Sequence, residues 1–238
     1  MPDHEQIYRM KADPYHRMIA AQPDLSNIME ELCPGRDLDI LDLGAGSGRL
    51  TLSLLPRARS LSASDLSPAM LEELVRNVPL SCHSRLTTIA ADHRNLPLPD
   101  HSFDLIVSGW SLCYLAGSDV PEWEANLKQM MSEIDRLLRP GGTVILFETM
   151  GTGHTAPQPP PFLLEYYNQL ERQYEFGHRW IRTDYTFRSP QEAEELTRFF
   201  FGDALADEVR QKGLPIVPEC AGVWWKRKSK ESGKVHPA

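Results

Sequence analysis

The residues best able to do chemistry stand in one run, Leu41-Asp42-Leu43-Gly44-Ala45-Gly46-Ser47-Gly48-Arg49-Leu50. It places a carboxylate two residues before three alternating glycines. Such glycines let the backbone turn sharply and let a ligand approach the main chain. The spacing narrows the ligand. A dinucleotide fingerprint needs a third glycine where Arg49 stands. A phosphate loop needs Gly-Lys followed by Ser or Thr, a tripeptide this chain does not contain. Two more carboxylates follow short apolar runs. Asp65 ends Ser60-Leu61-Ser62-Ala63-Ser64, and Asp92 follows Arg85-Leu86-Thr87-Thr88-Ile89-Ala90. A carboxylate at the end of a second parallel strand, about 20 residues past the glycines, is where a doubly wound fold grips ribose hydroxyls.

These groups need strands and helices to hold them. Leu38, Ile40, Leu41 and Leu43 lead into the glycines, and Leu50, Leu52, Leu54 and Leu55 follow. That pattern predicts a buried strand, a glycine turn and a helix. Ser67 and Pro68 predict the cap and first turn of the next helix. Phe103 to Ser108 predicts a fourth strand. From Asp119 and Pro121 a helix is expected to about Leu138, with Leu127, Met130, Met131, Ile134 and Leu137 on its core face. Pro140-Gly141-Gly142 is expected to end it before a fifth strand, Thr143 to Phe147. Strands and helices that alternate in this way predict a mainly parallel sheet covered on both faces. Beyond residue 150 the character changes. A proline-rich connector, 151–161, leads to an aromatic helical segment, Phe162 to Glu175, and an alternating run, Arg179 to Phe187. Ser189-Pro190-Gln191-Glu192 fits a capping box for a helix to about Phe200. Cys220 to Lys226 predicts the last strand.

Taken together, Leu41 to Leu50 and Ala63-Ser64-Asp65-Leu66-Ser67-Pro68-Ala69-Met70-Leu71 resemble the first two motifs of class I S-adenosylmethionine-dependent methyltransferases. Ala91 to Ile106 is similar to the third, and Leu137-Leu138-Arg139-Pro140-Gly141-Gly142-Thr143 resembles the turn before the fifth strand. The resemblance covers residues 36–149 and is nearest to the small-molecule subgroup that includes ubiquinone and menaquinone methyltransferases. It implies an α/β fold: a doubly wound, mainly parallel seven-stranded sheet with an antiparallel last strand and a small helical lid. It implies S-adenosyl-L-methionine as cofactor. Asp65 would then hold the ribose, with Leu66 packed beside it. Asp92 and the backbone of His93 would meet the adenine. Asp42, Gly44, Ala45 and Gly46 would line the amino-acid end, with Ser108 facing the methyl group. Acceptor-binding candidates are Tyr8, Tyr15, Trp110, Tyr166, Arg179 and Tyr185. His154, His178 and Tyr114 are candidates for proton transfer, which is needed only if the acceptor arrives protonated.

Composition sets outer bounds. With 238 residues, the chain is long enough for one domain with a full core. A net charge of -8 argues against a nucleic-acid surface, which usually carries a basic face. No apolar run approaches the roughly 20 residues of a bilayer span. The N-terminus, Met1-Pro2-Asp3-His4-Glu5, has no secretory character. Cys33, Cys82, Cys113 and Cys220 match no zinc spacing, so no metal is expected, and reduced thiols in a cytoplasmic monomer or homodimer are. The expected organisation is an N-terminal helical cap (1–30), a cofactor-binding core (31–149), an acceptor-side lid (150–188), a closing helix and strand (189–227) and a tail (228–238). The expected activity is methyl transfer to a small molecule. The alternatives are a nucleic-acid or protein methyltransferase and a non-catalytic cofactor-binding module on the same fold. The segment after strand four is Ser108-Gly109-Trp110-Ser111, not the Asn-Pro-Pro-Tyr type of amino-methylating enzymes.

Overall fold

The computed structural model describes residues 12–230. Two helices come first, α1 (Ala12–Ile19) and α2 (Ser26–Leu32). Two strand-helix units and a third strand follow: β1 (Leu38–Leu43) with α3 (Arg49–Leu54), β2 (Ala58–Asp65) with α4 (Pro68–Asn77), and β3 (Leu86–Ala90). Then come β4 (Phe103–Gly109), the single turn α5 (Cys113–Ala116), α6 (Trp123–Leu137) and β5 (Leu138–Thr152). The last part holds α7 (Leu164–Arg172), β6 (Gly177–Arg182), β7 (Tyr185–Thr186), α8 (Pro190–Phe201), α9 (Asp203–Lys212), β8 (Ile216–Val217) and β9 (Glu219–Arg227).

Seven strands form one sheet in the order β3-β2-β1-β4-β5-β9-β6. All run parallel except β9, which pairs antiparallel with β5 on one side and β6 on the other. The doubly wound sheet with an antiparallel last strand is therefore as expected. The central strands are apolar on both faces because helices cover both. On one face Leu41, Leu43, Ile106, Val144 and Leu146 meet α6 and α7. On the other Ile40, Leu105, Val107, Ile145 and Phe147 meet α2, α3 and α4. The predicted caps form. Ser67 accepts the Met70 N–H at the start of α4, and Ser189 accepts that of Glu192 at the start of α8. The returning Glu192 carboxylate takes the N–H of Arg188, one residue before the cap.

Three expectations are corrected. The turn at Pro140-Gly141-Gly142 is absorbed into β5, which starts at Leu138. Its pairing with β4 slips between Phe103↔Leu138 and Leu105↔Thr143, and Gly141 takes up the bulge at φ 83°. The run Arg179 to Phe187 is two strands. β6 is the edge of the main sheet, whereas β7 pairs only with β8. Within 150–188, α7 and β6 belong to the main body. Tyr167 stacks on Trp224 of β9 with ring centroids 4.5 Å apart, and Tyr166 is fully buried. A third apolar cluster sits over the C-terminal ends of the strands. It joins Met18 and Ile19 of α1 to Tyr185, Phe187, Leu196, Phe200, Val209 and Val217. This cap therefore draws on α1, β7, β8, α8 and α9, and not on one contiguous insertion.

Candidate active site

The glycine loop between β1 and α3 depends on its residue types. Gly44, Gly46 and Gly48 have φ of 77°, 54° and 101°, conformations that side chains with a Cβ rarely adopt. Its amides point inward. Gly44 and Ala45 donate to the Ser64 carbonyl at 2.8 and 2.9 Å, and Gly46 donates to Asp65 Oδ2 at 2.9 Å. A loop that spends its N–H groups on β2 is not a phosphate cradle, which agrees with the missing Gly-Lys-Ser/Thr. Space remains above it: a Cβ on Gly46 would meet only Tyr15 Cε1, at 3.8 Å. Asp42 lies beneath. Oδ2 accepts from Thr51 Oγ1 at 2.6 Å, and Oδ1 is buried without a partner. Burial pushes this carboxyl up to about 7, against the hydrogen bond from Thr51.

At the ends of β2 and β3 the structure sets Asp65, Leu66, Asp92 and His93. Asp65 Oδ1 accepts the Ser67 N–H at 2.8 Å, so one carboxylate ties the glycine loop to α4. Desolvation raises its pKa, and those backbone donors lower it. Leu66 is 72% exposed, a bare apolar side chain beside that carboxylate. Asp92 is engaged by Arg94, whose Nε and Nη2 reach its two oxygens at 2.9 and 2.7 Å, and this pairing lowers its pKa. His93 is buried, and desolvation pushes it down to about 4, so its ring is neutral. Its Nε2 lies 2.8 Å from Ser111 Oγ, and the two side chains meet over Gly44, where a Cβ would overlap Ser111. Ser108 does not face this space. Its hydroxyl donates to the Leu43 carbonyl at 2.8 Å and pins β4 to β1.

The glycine loop also forms one end of a cavity of about 540 Å³. Asp42, Gly44, Ala45 and Gly46 line that end. Tyr15, Met18, Ile19, Trp110, Tyr114, Tyr185 and Phe200 supply mostly apolar walls, with His154 exposed at the edge. The structure thus brings five of the acceptor-side candidates, Tyr15, Trp110, Tyr114, His154 and Tyr185, into one cavity with the glycine loop. It places others elsewhere. Tyr166 is in the core, where its hydroxyl donates to Glu148 Oε1 at 3.2 Å. Arg179 forms a two-pronged pair with Glu31, both contacts at 2.7 Å. His178 stacks on Trp224 at 4.4 Å, and burial lowers its pKa. Tyr8 lies outside the described residues. Among the lining residues that the sequence does not single out are two buried or half-buried charged ones. Arg49 follows the last glycine, and Glu219 opens β9. Arg49 has a weak signal in its place directly after Gly48. Glu219 has only a carboxylate ahead of an apolar strand.

Residues 41–146 match the family described as "Methyltransferase domain". Over 145 residues the chain is 34% identical to a malonyl-[acyl-carrier protein] O-methyltransferase of Halorhodospira halophila, covering 59% of this chain and 45% of that protein. It is 33% identical over 114 residues to a demethylmenaquinone methyltransferase of Symbiobacterium thermophilum, covering 46% of this chain and 41% of that one. The chain therefore spans less than half the length of these curated relatives. A solved structure of Haemonchus contortus phosphoethanolamine N-methyltransferase 2 in complex with S-adenosyl-L-methionine has the same fold, with a TM-score of 0.59 at 17% identity. The match covers 95% of this chain and 60% of that one. Fold and motifs together are similar to those of class I S-adenosylmethionine-dependent methyltransferases. The family match accounts for residues 41–146, somewhat less than half of the chain.

The cofactor of the class is S-adenosylmethionine, and the residues present fit it. Asp42 offers a buried, unpartnered oxygen to an ammonium, Gly46 leaves its loop uncovered, and Leu66 offers a bare apolar face beside Asp65. Among the described residues no cluster of His, Cys, Asp and Glu could hold a metal, and no helix is long and apolar enough to cross a membrane.

Proposed function

We propose that this protein transfers a methyl group from S-adenosylmethionine to a small molecule held in the 540 Å³ cavity. The observation that carries this reading is continuity: the glycine loop and the aromatic walls line one cavity. In this reading Asp65 holds the ribose hydroxyls, Asp42 the amino group, Leu66 packs beside the ribose and adenine, and the His93 backbone meets the adenine. Asp92 would share its oxygens between Arg94 and the adenine amine. Tyr15, Trp110, Tyr114 and Tyr185 surround the acceptor. The cofactor supplies an already activated methyl group, so no protein nucleophile is required. The protein has to align the acceptor atom with the methyl carbon and keep water out, a positioning role that can contribute roughly 7–11 kcal/mol. The mostly apolar cavity favours a small acceptor over a nucleic-acid or protein surface.

Calorimetry with S-adenosylhomocysteine tests the cofactor site. Micromolar binding is expected, with at least tenfold loss in Asp65→Ala, because charge-assisted bonds contribute about 1.5–3 kcal/mol each. Binding of NAD or ATP with no response to S-adenosylhomocysteine would overturn the reading. Binding without turnover across a panel of small acceptors would favour the non-catalytic alternative.

A further inference from the structure

Arg49 and Glu219 are 170 residues apart in sequence, and both line the acceptor cavity. Neither is satisfied there. The Arg49 guanidinium lies over the Trp110 ring, 3.8 Å from its centroid, and its Nε and Nη2 are buried with no hydrogen-bond partner. Glu219 is 1% exposed. Its Oε1 accepts from Thr149 Oγ1 at 3.1 Å, the Thr152 hydroxyl also bears on the carboxylate, and Oε2 is buried with no partner in good hydrogen-bond geometry. Each influences the other's ionisation, but the described structure has no ion pair or hydrogen bond between them. Buried charged groups are normally paired. A cation and an anion left unsatisfied in one mostly apolar cavity call for a third group that serves both.

That group must accept from a guanidinium and donate to a carboxylate. A hydroxyl does both through one oxygen. An ammonium would satisfy Glu219 and be repelled by Arg49. A carboxylate would satisfy Arg49 and set a second anion beside Glu219. We propose, on the basis of the methyltransferase reading, that Arg49 and Glu219 jointly bind the hydroxyl of an apolar alcohol or phenol, with Glu219 as general base and Arg49 holding the oxygen. Glu219 Oε2 takes the hydroxyl proton as the oxygen forms its bond to the donor methyl and the methyl–sulfur electron pair withdraws onto sulfur. The products are a methyl ether, the thioether and a protonated Glu219, which then loses its proton to solvent. Burial pushes the Glu219 carboxyl up to about 7, suited to proton transfer near neutrality. Desolvation lowers Arg49 to about 10, which leaves it charged there. The Tyr15, Trp110, Tyr185 and Phe200 rings favour an aromatic body on the acceptor.

The test uses 2-naphthol, 2-naphthoate and 2-naphthylamine as probes on the full chain saturated with S-adenosylhomocysteine. Calorimetry is expected to show 2-naphthol binding more tightly than the other two. Arg49→Met and Glu219→Gln should each weaken it at least about tenfold and leave S-adenosylhomocysteine affinity within about twofold. Methyl transfer to 2-naphthol should fall at least about a hundredfold in Glu219→Gln, the scale of a lost general base. Arg49→Lys and Glu219→Asp, which keep the charges, serve where a neutral variant unfolds and should show the same order of loss in binding. Tighter binding of 2-naphthoate with no response to Glu219→Gln would replace the proposal with a simple anion anchor at Arg49. Loss of S-adenosylhomocysteine binding in the Arg49 variants would make Arg49 a cofactor residue and also overturn it. So would failure of 2-naphthol to bind a protein that binds S-adenosylhomocysteine. Failure of the unaltered chain to bind S-adenosylhomocysteine would instead overturn the methyltransferase reading itself.

Discussion

Asp42 is buried, holds the Thr51 hydroxyl with one oxygen, and keeps the other free at the glycine-loop end of the cavity. Only its ionised form would attract an ammonium, and burial, reinforced by the nearby Asp65 charge, raises its pKa to about 7. Cofactor affinity is therefore expected to rise with pH between 5 and 7, by up to about tenfold per unit, and to level off above. Asp42→Asn should bind more weakly and show a flatter profile by calorimetry at pH 5, 6, 7 and 8. An unaltered slope in that variant would remove Asp42 from the cofactor site. Asp42 was legible from sequence because a glycine turn and its carboxylate lie within a few residues. Arg49 and Glu219 were not, because no local spacing relates residue 49 to residue 219. Only the insertion of β9 beside β5 brings them to one cavity. Tyr166 misled for the opposite reason. An aromatic helix after a proline-rich connector suggested a lid, but its ring found a buried carboxylate and a core.

At the scale of elements, α1 links the cap to the cofactor loop. His16 Nδ1 stands 3.2 Å from Ser47 Oγ in the glycine loop, and Arg17 reaches Glu192 of α8 at 2.9 Å. Tyr15, Met18 and Ile19 form cavity wall on the same helix. Its buried contacts belong to the small third cluster and not to either face of the sheet, so α1 should open at lower free energy than the core strands. Hydrogen exchange in 12–22 is expected to be faster than in β4 and to slow when S-adenosylhomocysteine binds, while β4 stays unchanged. Protection equal to that of β4 in the free protein would show the cap to be fixed. Met18→Ala should cost about 2 kcal/mol, the low end for a buried methionine. It should weaken acceptor binding more than cofactor binding, since Met18 borders the cavity and not the β2 and β3 ends. The strands of the main sheet were readable as apolar runs, apart from β6. As an edge strand it is only half buried, and its Gly-His-Arg-Trp-Ile-Arg pattern also suits a solvated surface.

For the molecule as a whole, three buried carboxyls share one electrostatic consequence. Asp42, Glu148 and Glu219 are each pushed by burial to about 7, against roughly 4 in an unfolded chain. Between those values the folded protein holds protons that the unfolded chain has released, so stability falls as pH rises, by at most about 1.4 kcal/mol per unit for each group. His93, lowered to about 4, opposes this below its unfolded value of about 6.5. His178, also lowered by burial, acts with His93, and Asp65, raised by burial, acts with the carboxyls, so the balance predicts a lower melting temperature at pH 7 than at pH 5. Glu148→Gln should reduce that slope, and an equal slope in the variant would show that Glu148 does not carry a proton in the fold. The placement of β9 has a different consequence, one of timing. During synthesis β1 to β5 leave the ribosome long before residue 219, and β6 precedes β9, the strand that joins it to β5. Two of the seven strands, β9 and β6, must wait until residue 227 has been made, with the β5 edge open and Phe147 and Trp224 not yet in register with their partners. A nascent chain of this design stays open to mispairing or chaperone capture at one defined edge, and both its core and its acceptor cavity are completed by the same late event.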